Sequence, residues 1–275
     1  MKDEARKDLK AVNISKRNNV TIIGEGQQTI VFAHGFGCDQ KMWQYITPFF
    51  EKDYRLILFD YVGSGESAYE QYNEQKYKTL HGYKQDLLDV LASEHLQDCI
   101  YIGHSVSSMI GVLAANEQPA LFKQIIMIGP SPKYLNEGDY IGGFTAQDID
   151  ELLTMMEMNF TGWASFMAPF ALGVEQEAPV TQELHQTFMG NNPVIARQFA
   201  EATFYSDHRH DLLTCTIPTF VLQCEEDSIV PIHVGRYIQE QMPNCLLQVI
   251  AIKGHYPHIV EPKLTSEYIL NYLKQ

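Results

Sequence analysis

The chain has 275 residues, 45% hydrophobic and 20% charged, enough to bury a large core as one big α/β domain or one domain with an insertion. Its formal net charge of −14 argues against nucleic acid and anionic membranes as main partners, because both need a basic face. Cys38, Cys99, Cys215, Cys224 and Cys245 are scattered without C-x-x-C spacing and read as buried thiols in a reducing compartment, not as metal ligands or a disulfide framework.

Residues 1–13 read as a polar extension without the apolar centre of a signal peptide. No stretch approaches the ~20 apolar residues of a membrane span, so the expected location is the cytoplasm. Val20–Ile23 and Thr29–Ala33 have the pattern of two strands around the turn Gly24-Glu25-Gly26. The second strand leads into His34-Gly35-Phe36-Gly37, whose glycines permit tight or positive-φ backbone that leaves N–H groups free. Lys41–Phe50 is expected as a short helix and Tyr54–Phe59 as a strand ending at Asp60, a carboxylate suited to bonding turn amides. The turn Gly63-Ser64-Gly65 is a poor phosphate cradle, since no Lys follows in a G-K-[ST] arrangement. Thr79–Leu96 is a helix that buries Leu87, Leu88, Val90 and Leu91.

Cys99–Ile102 is a short apolar strand, and Val106–Gln118 carries Met109, Ile110, Val112 and Leu113 at helical spacing up to Pro119. Between them stands Gly103-His104-Ser105-Val106-Ser107. A serine on a sharp strand-to-helix turn is the nucleophile elbow of α/β-hydrolases, with its hydroxyl exposed at the sheet edge. Serine also caps helices, and the motif ends in Ser107 where glycine is usual, so the pentapeptide alone leaves both readings open.

Ile125–Ile128 is the next strand, after which strand–helix alternation stops. Pro132–Ser206 shows only helical stretches, Asp148–Phe160, Trp163–Leu172, Thr181–Met189 and Pro193–Phe204, broken at Gly162, Gly173, Pro179 and Asn191-Asn192-Pro193. An all-helical insert here reads as a lid over the elbow. Phe144, Met155, Trp163, Phe166, Phe170, Phe188, Phe199 and Phe204 are candidates to line an apolar pocket, with roughly half reaching it and the rest forming the lid's own core. The alternation resumes with strand Ile217–Gln223, helix Ile232–Gln241, strand Leu246–Ile252 and helix Glu261–Leu273.

A serine hydroxyl is a weak nucleophile until an imidazole takes its proton, and the imidazole needs a carboxylate to fix its tautomer. Ser105, Asp227 and His255 each stand on a loop after a strand, in the Ser…Asp…His order of α/β-hydrolases. Glu225 and Glu226 rival Asp227, which sits best relative to Val230-Pro231; His258 lies beyond Pro257, so His255 is favoured. The amides of Phe36 and Val106 are the candidate oxyanion donors. His34 and His104 are expected to bond locally and hold the two turns. His208 and His210 lack a third ligand and read as a solvated turn, so neither a metal nor a cofactor is expected. A dehalogenase or epoxide hydrolase would place Asp at position 105.

Several runs carry a more specific resemblance: His34-Gly35-Phe36-Gly37-Cys38-Asp39-Gln40, Leu58-Phe59-Asp60-Tyr61-Val62-Gly63-Ser64-Gly65, Gly103-His104-Ser105-Val106, Gly129-Pro130-Ser131-Pro132, Tyr134-Leu135-Asn136 and Pro193-Val194-Ile195-Ala196-Arg197-Gln198-Phe199. Over about residues 14–273 the chain resembles the bacterial RsbQ-type α/β-hydrolases, which act in the energy-stress branch of sigma-B activation. It is also similar to the plant karrikin and strigolactone receptor-hydrolases, and Ser107 is closer to the plant pattern. The resemblance implies an α/β-hydrolase fold, a mostly parallel sheet flanked by helices with a four-helix lid after the sixth strand. The core would be residues 14–131 and 207–275, and the lid 132–206 would form two V-shaped layers over a small hydrophobic pocket. It implies Ser105, Asp227 and His255 as the triad, Phe36 and Val106 as the oxyanion donors, and Phe144, Trp163, Phe199 and Phe204 near the pocket. The implied function is hydrolysis of a small hydrophobic ester or lactone, butenolide-like, in stress signalling with an RsbP-like PAS-domain phosphatase as partner. A non-catalytic small-molecule sensor and a housekeeping carboxylesterase are the alternatives.

Overall fold

The computed structural model describes residues 12–274; residues 1–11 of the expected polar extension lie outside them. Seven strands form one sheet: β1 (Thr21–Ile23), β2 (Thr29–Ala33), β3 (Arg55–Phe59), β4 (Cys99–His104), β5 (Phe122–Ile128), β6 (Thr219–Glu226) and β7 (Cys245–Lys253), in the order β1-β3-β2-β4-β5-β6-β7. Every pairing is parallel except β1 with β3. Strands β2 and β4 are buried along their whole length, as continuous apolar runs in a doubly covered parallel sheet should be. Strand order reverses between β2 and β4. Loops leaving their carboxyl ends diverge there and open a crevice, the usual ligand position in open α/β sheets.

The helices are α1 (Ile14–Arg17), α2 (Leu80–Ser93), α3 (Val106–Glu117), α4 (Ala146–Met158), α5 (Phe160–Leu172), α6 (Pro179–Met189), α7 (Pro193–Phe204), α8 (Arg209–Leu212), α9 (Ile232–Gln241), α10 (Pro257–Val260) and α11 (Pro262–Leu273). Helices α4–α7 are the insertion, and local chemistry sets their limits. Thr145 and Asp148 form a capping box at the start of α4. Gly173 ends α5 at φ 67°, and Pro179 and Pro193 occupy the first positions of α6 and α7. The two ends of the insertion are clamped together: the His208 amide donates to Pro132 O at 2.8 Å, and Lys133 Nζ pairs with Asp207 at 2.9 Å. Among the described residues no helix is long and apolar enough to cross a membrane.

Three expectations change. The first two strands are not a hairpin, because β3 lies between them. Gly24 and Gly26 serve close packing instead: a Cβ on either would stand 2.4 Å or 2.2 Å from backbone oxygens of the segment entering β3. Lys41–Phe50 is not one helix but two 3-10 turns, Gln40–Trp43 and Thr47–Phe49; Pro48 has no N–H for the helical ladder. The insertion follows the fifth strand among the described residues, one earlier than expected.

Gly103 lets α3 fold back directly over β4, since a Cβ there would stand 2.8 Å from the Ser107 carbonyl group. Gly103→Ala is expected to destabilise the protein by about 1–3 kcal/mol through overpacking, measured by urea unfolding against the wild type.

Candidate active site

The turn from β4 into α3 holds Ser105 at φ 54° and ψ −122°, a left-handed conformation rare for a residue with a Cβ. Such strain costs of order 1–3 kcal/mol and persists only where neighbours enforce it. Here the Ser105 amide donates to Ile128 O of β5 at 2.8 Å, and the Ser108 amide donates to Ser105 O at 2.9 Å. The Ser105 side chain makes no capping hydrogen bond to α3, so the helix-cap reading does not describe it. Val106 opens α3, where an amide has no intrahelical acceptor. Neither its N–H nor that of Phe36 enters a turn or cap backbone bond among the described residues.

Asp227 and His255 meet. His255 Nδ1 lies 2.8 Å and 3.0 Å from the two Asp227 carboxylate oxygens, and both side chains are buried. Asp227 Oδ1 also accepts the amides of Ile229 and Val230 at 2.8 Å and 2.9 Å, and Oδ2 accepts from Gln223 Nε2 at 3.1 Å. This network places the proton on Nδ1 and leaves the Nε2 lone pair free. Glu225 and Glu226 are exposed. The loop that carries His255 is held on both sides: the His255 amide donates to Ala171 O of α5 at 2.6 Å, and His104 Nε2 donates to His255 O at 2.9 Å. Gly129 leaves room for the imidazole, since a Cβ there would stand 2.8 Å from His255 Cε1.

Ser105 and His255 line one chamber but are not hydrogen-bonded to each other. Ser105 Oγ lies 3.2 Å from the Tyr134 hydroxyl, and His255 Nε2 has no hydrogen-bond partner among the described residues. Burial holds the Tyr134 phenol well above its ordinary pKa, so it stays protonated. The chamber encloses about 30 Å³ and is walled by Phe36, Met167, Phe188, Phe204 and Ile229 among others. That is far below the roughly 300–1,000 Å³ of ordinary ligand sites.

The aromatic candidates divide. Phe188 and Phe204 wall the chamber, whereas Phe144, Met155, Trp163, Phe166 and Phe170 line a separate open groove of about 620 Å³ along α4 and α5, with Asp148 and Glu151 on its rim. Met167 borders both spaces, and Phe166 is 54% exposed. Phe199 lies in neither lining: it stacks on Tyr83 at 4.0 Å and meets Phe36 edge-on at 5.8 Å. Spacing could not separate these roles: Phe188 of α6 and Phe204 of α7 reach the chamber, whereas α5 gives the chamber only Met167 and Ala171 and sends Trp163, Phe166 and Phe170 to the groove. Tyr134, Gly129 and the Ala171 carbonyl had no assigned role in the sequence; the only signal was that the first two fall within distinctive runs.

Asp60 and His34 hold their own turns, whereas His104, expected to bond locally, reaches the distant His255 carbonyl. Asp60 accepts the amides of Gln40 and Glu66 at 2.8 Å and 2.9 Å. His34 Nδ1 donates to Gly35 O at 2.9 Å and its Nε2 accepts the Tyr61 amide at 3.2 Å. Cys38, Cys99, Cys215 and Cys224 are buried free thiols, while Cys245 is half-buried; burial pushes Cys38 up to about 12. His208 bonds Asp211 at 3.0 Å, and no group of three or more metal-ligating side chains is gathered among the described residues.

His104 and His258 lie fully buried beside His255. Burial, reinforced by the neighbouring imidazoles, holds His104 well below the ordinary 6.5, and burial followed by His255 lowers His258 to about 3. Both rings are neutral when folded, whereas the unfolded chain takes up their protons below 6.5. Stability is therefore complete above pH 6.5 and falls on acidification, by up to about 1.4 kcal/mol per pH unit per histidine. Urea unfolding between pH 7 and 5 is expected to show this slope, and His258→Asn to make it shallower.

Known proteins resemble this chain along nearly all of its length. Residues 30–267 match the model of the alpha/beta hydrolase family. The chain is 35% identical to karrikin insensitive 2 receptor CA of Petunia hybrida over 261 residues, covering 94% of this chain and 97% of the relative. It is likewise 35% identical to strigolactone esterase D14 of Arabidopsis thaliana, covering 94% and 96%. Among solved structures, a hydrolase from Oleispira antarctica superimposes with a TM-score of 0.93 at 38% identity, covering 96% and 97%. An enol-lactonase from Burkholderia xenovorans, at 16% identity and a TM-score of 0.81 over 93% and 96% of the chains, shares the fold. With relatives this similar along nearly all of its length, the chain belongs to the alpha/beta hydrolase family.

Proposed function

We propose that this protein is a serine hydrolase of a small hydrophobic ester or lactone, with Ser105 as nucleophile, His255 as base and Asp227 as the carboxylate that orients it. The observation that carries this reading is the strained serine facing the same closed chamber as an imidazole whose Nδ1 is fixed by a buried carboxylate. For attack, rotation about the Ser105 side chain has to bring Oγ from Tyr134 to His255 Nε2 across the chamber that both residues line. Attack on the substrate carbonyl then passes the hydroxyl proton to Nε2, and the oxyanion is met by the amides of Phe36 and Val106. Collapse breaks the ester C–O bond, His255 protonates the leaving oxygen, and an acyl group remains on Ser105. His255 next draws a proton from water, whose hydroxide adds to the acyl carbon; the bond from that carbon to Ser105 Oγ breaks, the acid leaves, and His255 returns the proton to the serine oxygen. In a lactone the leaving oxygen stays tethered to the acyl group.

The phenylalanine-walled chamber favours short apolar acyl groups over long lipids or peptides. A butenolide substrate is supported by relatives named as a strigolactone esterase and karrikin insensitive receptors. The further reading, a positive regulator of sigma-B activation working with an RsbP-like PAS-domain phosphatase in the cytoplasm, rests on the sequence runs alone. Deleting the gene should abolish energy-stress activation if it holds; retained activation would leave a housekeeping esterase. A second reading, a sensor that binds ligand without turnover, draws on the Ser105–Tyr134 bond and the chamber's small volume.

Intact-mass and rate measurements with a short aryl ester and a butenolide separate these readings. The native protein is expected to turn over or to carry an acyl mass on Ser105, and Ser105→Ala and His255→Ala to lose at least about 10³-fold in rate. Native protein as inert as Ser105→Ala while still binding ligand would establish the sensor. Because Tyr134 competes with His255 for the serine hydroxyl, Tyr134→Phe should acylate no more slowly than wild type, as read by burst kinetics with the aryl ester.

A further inference from the structure

The elbow ends in Ser107, and its hydroxyl does more than fit a tight space. Ser107 Oγ lies 2.5 Å from the carbonyl oxygen of His34, to which it donates. Its only proton is thereby committed, so the Tyr61 hydroxyl, 3.0 Å away, must donate to Ser107 Oγ. Ser107, Tyr61 and His34 are all fully buried. The Ser107 carbonyl is held in turn by the Tyr101 hydroxyl at 2.7 Å.

The position of this bond gives it a role. The last register pair between β2 and β4 is Ala33 with Gly103; beyond it the two chains part, one into the oxyanion turn and the other into the elbow. His34 lies two residues before Phe36, and Ser107 one residue after Val106. The Ser107–His34 bond therefore spans the gap just where the sheet ladder has stopped fixing it. Glycine or alanine would fit the space but could not make the bond.

We infer that Ser107 is a positioning residue that sets the spacing between the Phe36 and Val106 amides through its hydrogen bond to His34. This rests on the hydrolase reading above. The loss should fall on the tetrahedral state and spare ground-state binding, because only the former places an oxyanion between the two amides.

The test uses the full chain with Ser107→Ala and, as a control, Tyr61→Phe, which removes a bond to the same hydroxyl but leaves the link to His34. Steady-state kinetics with the aryl ester is combined with inhibition by an aryl trifluoromethyl ketone and binding of the matching methyl ketone. In the trifluoromethyl adduct a Ser105 Oγ–carbon bond forms, the carbonyl π pair becomes the oxyanion, and the serine proton passes to His255. Ser107→Ala is expected to lower kcat about 10–100-fold with KM within about threefold, and to weaken trifluoromethyl ketone inhibition by the same factor while methyl ketone binding holds. Tyr61→Phe should stay within about threefold of wild type in kcat. Unchanged kcat and inhibition in Ser107→Ala, equal loss in Tyr61→Phe, or parallel loss of methyl ketone binding would each overturn the inference. Should Ser107→Ala not fold, Ser107→Cys keeps a similar shape with a weak donor, and wild-type kcat in that variant would overturn it equally. Wild-type protein that neither turns over ester nor forms the adduct would instead refute the hydrolase reading and, with it, this inference.

Discussion

The backbone at Ser105 is the constraint on which the rest depends. A φ of 54° on a residue with a side chain is unfavourable in isolation. It survives because Gly103 lets α3 close over β4, Ile128 O binds the Ser105 amide, and the Ser107 side chain secures the far side of the turn. The same strained geometry keeps the Ser105 hydroxyl out of any capping bond to the helix it precedes and leaves it lining the chamber. A relaxed turn would leave Ser105 as an ordinary helix cap.

The histidine that faces this serine is fixed by elements far apart in the chain. Asp227 holds the ring, His104 holds the carbonyl of His255, and Ala171 of the insertion holds its amide. Ser228, beside Asp227, donates to Phe170 O at 2.8 Å. The carboxyl end of α5 therefore anchors both the Asp227 loop and the His255 loop, which makes the insertion part of the chamber's frame and not merely its cover. His104, packed against His255, and His258, packed against His104, are held neutral by burial and add no positive charge to this side of the chamber.

The chamber and the groove beside it show how apolar packing partitions space. Met167 belongs to both walls, and the exposed Phe166–Phe170 stack keeps the outer groove apolar under an acidic rim. An inner volume of about 30 Å³ holds little beyond the reacting group. A molecule of ordinary ligand size could reach Ser105 only by displacing side chains of the insertion.

The sequence by itself determined the alternation of strands and helices, the helical insertion, and the three loops that carry Ser105, Asp227 and His255, because these depend on local periodicity, punctuation and loop chemistry. It also marked Asp60 and His34 as local supports, since short-range polar groups beside glycine turns have few other roles; His104, expected to bond locally, instead reaches the carbonyl of His255 on a distant loop. Only the tertiary structure decided that β3 enters between β1 and β2, because glycines that allow a turn and glycines that allow close packing look alike in a sequence. It alone separated Phe204 and Phe188 from Phe144, Trp163, Phe166 and Phe199, since direction around a helix is set by what packs against it. And it alone paired Ser105 with Tyr134 and Ser107 with His34: hydrogen bonds between distant loops leave no local pattern, and are fixed only once the sheet brings its carboxyl ends together.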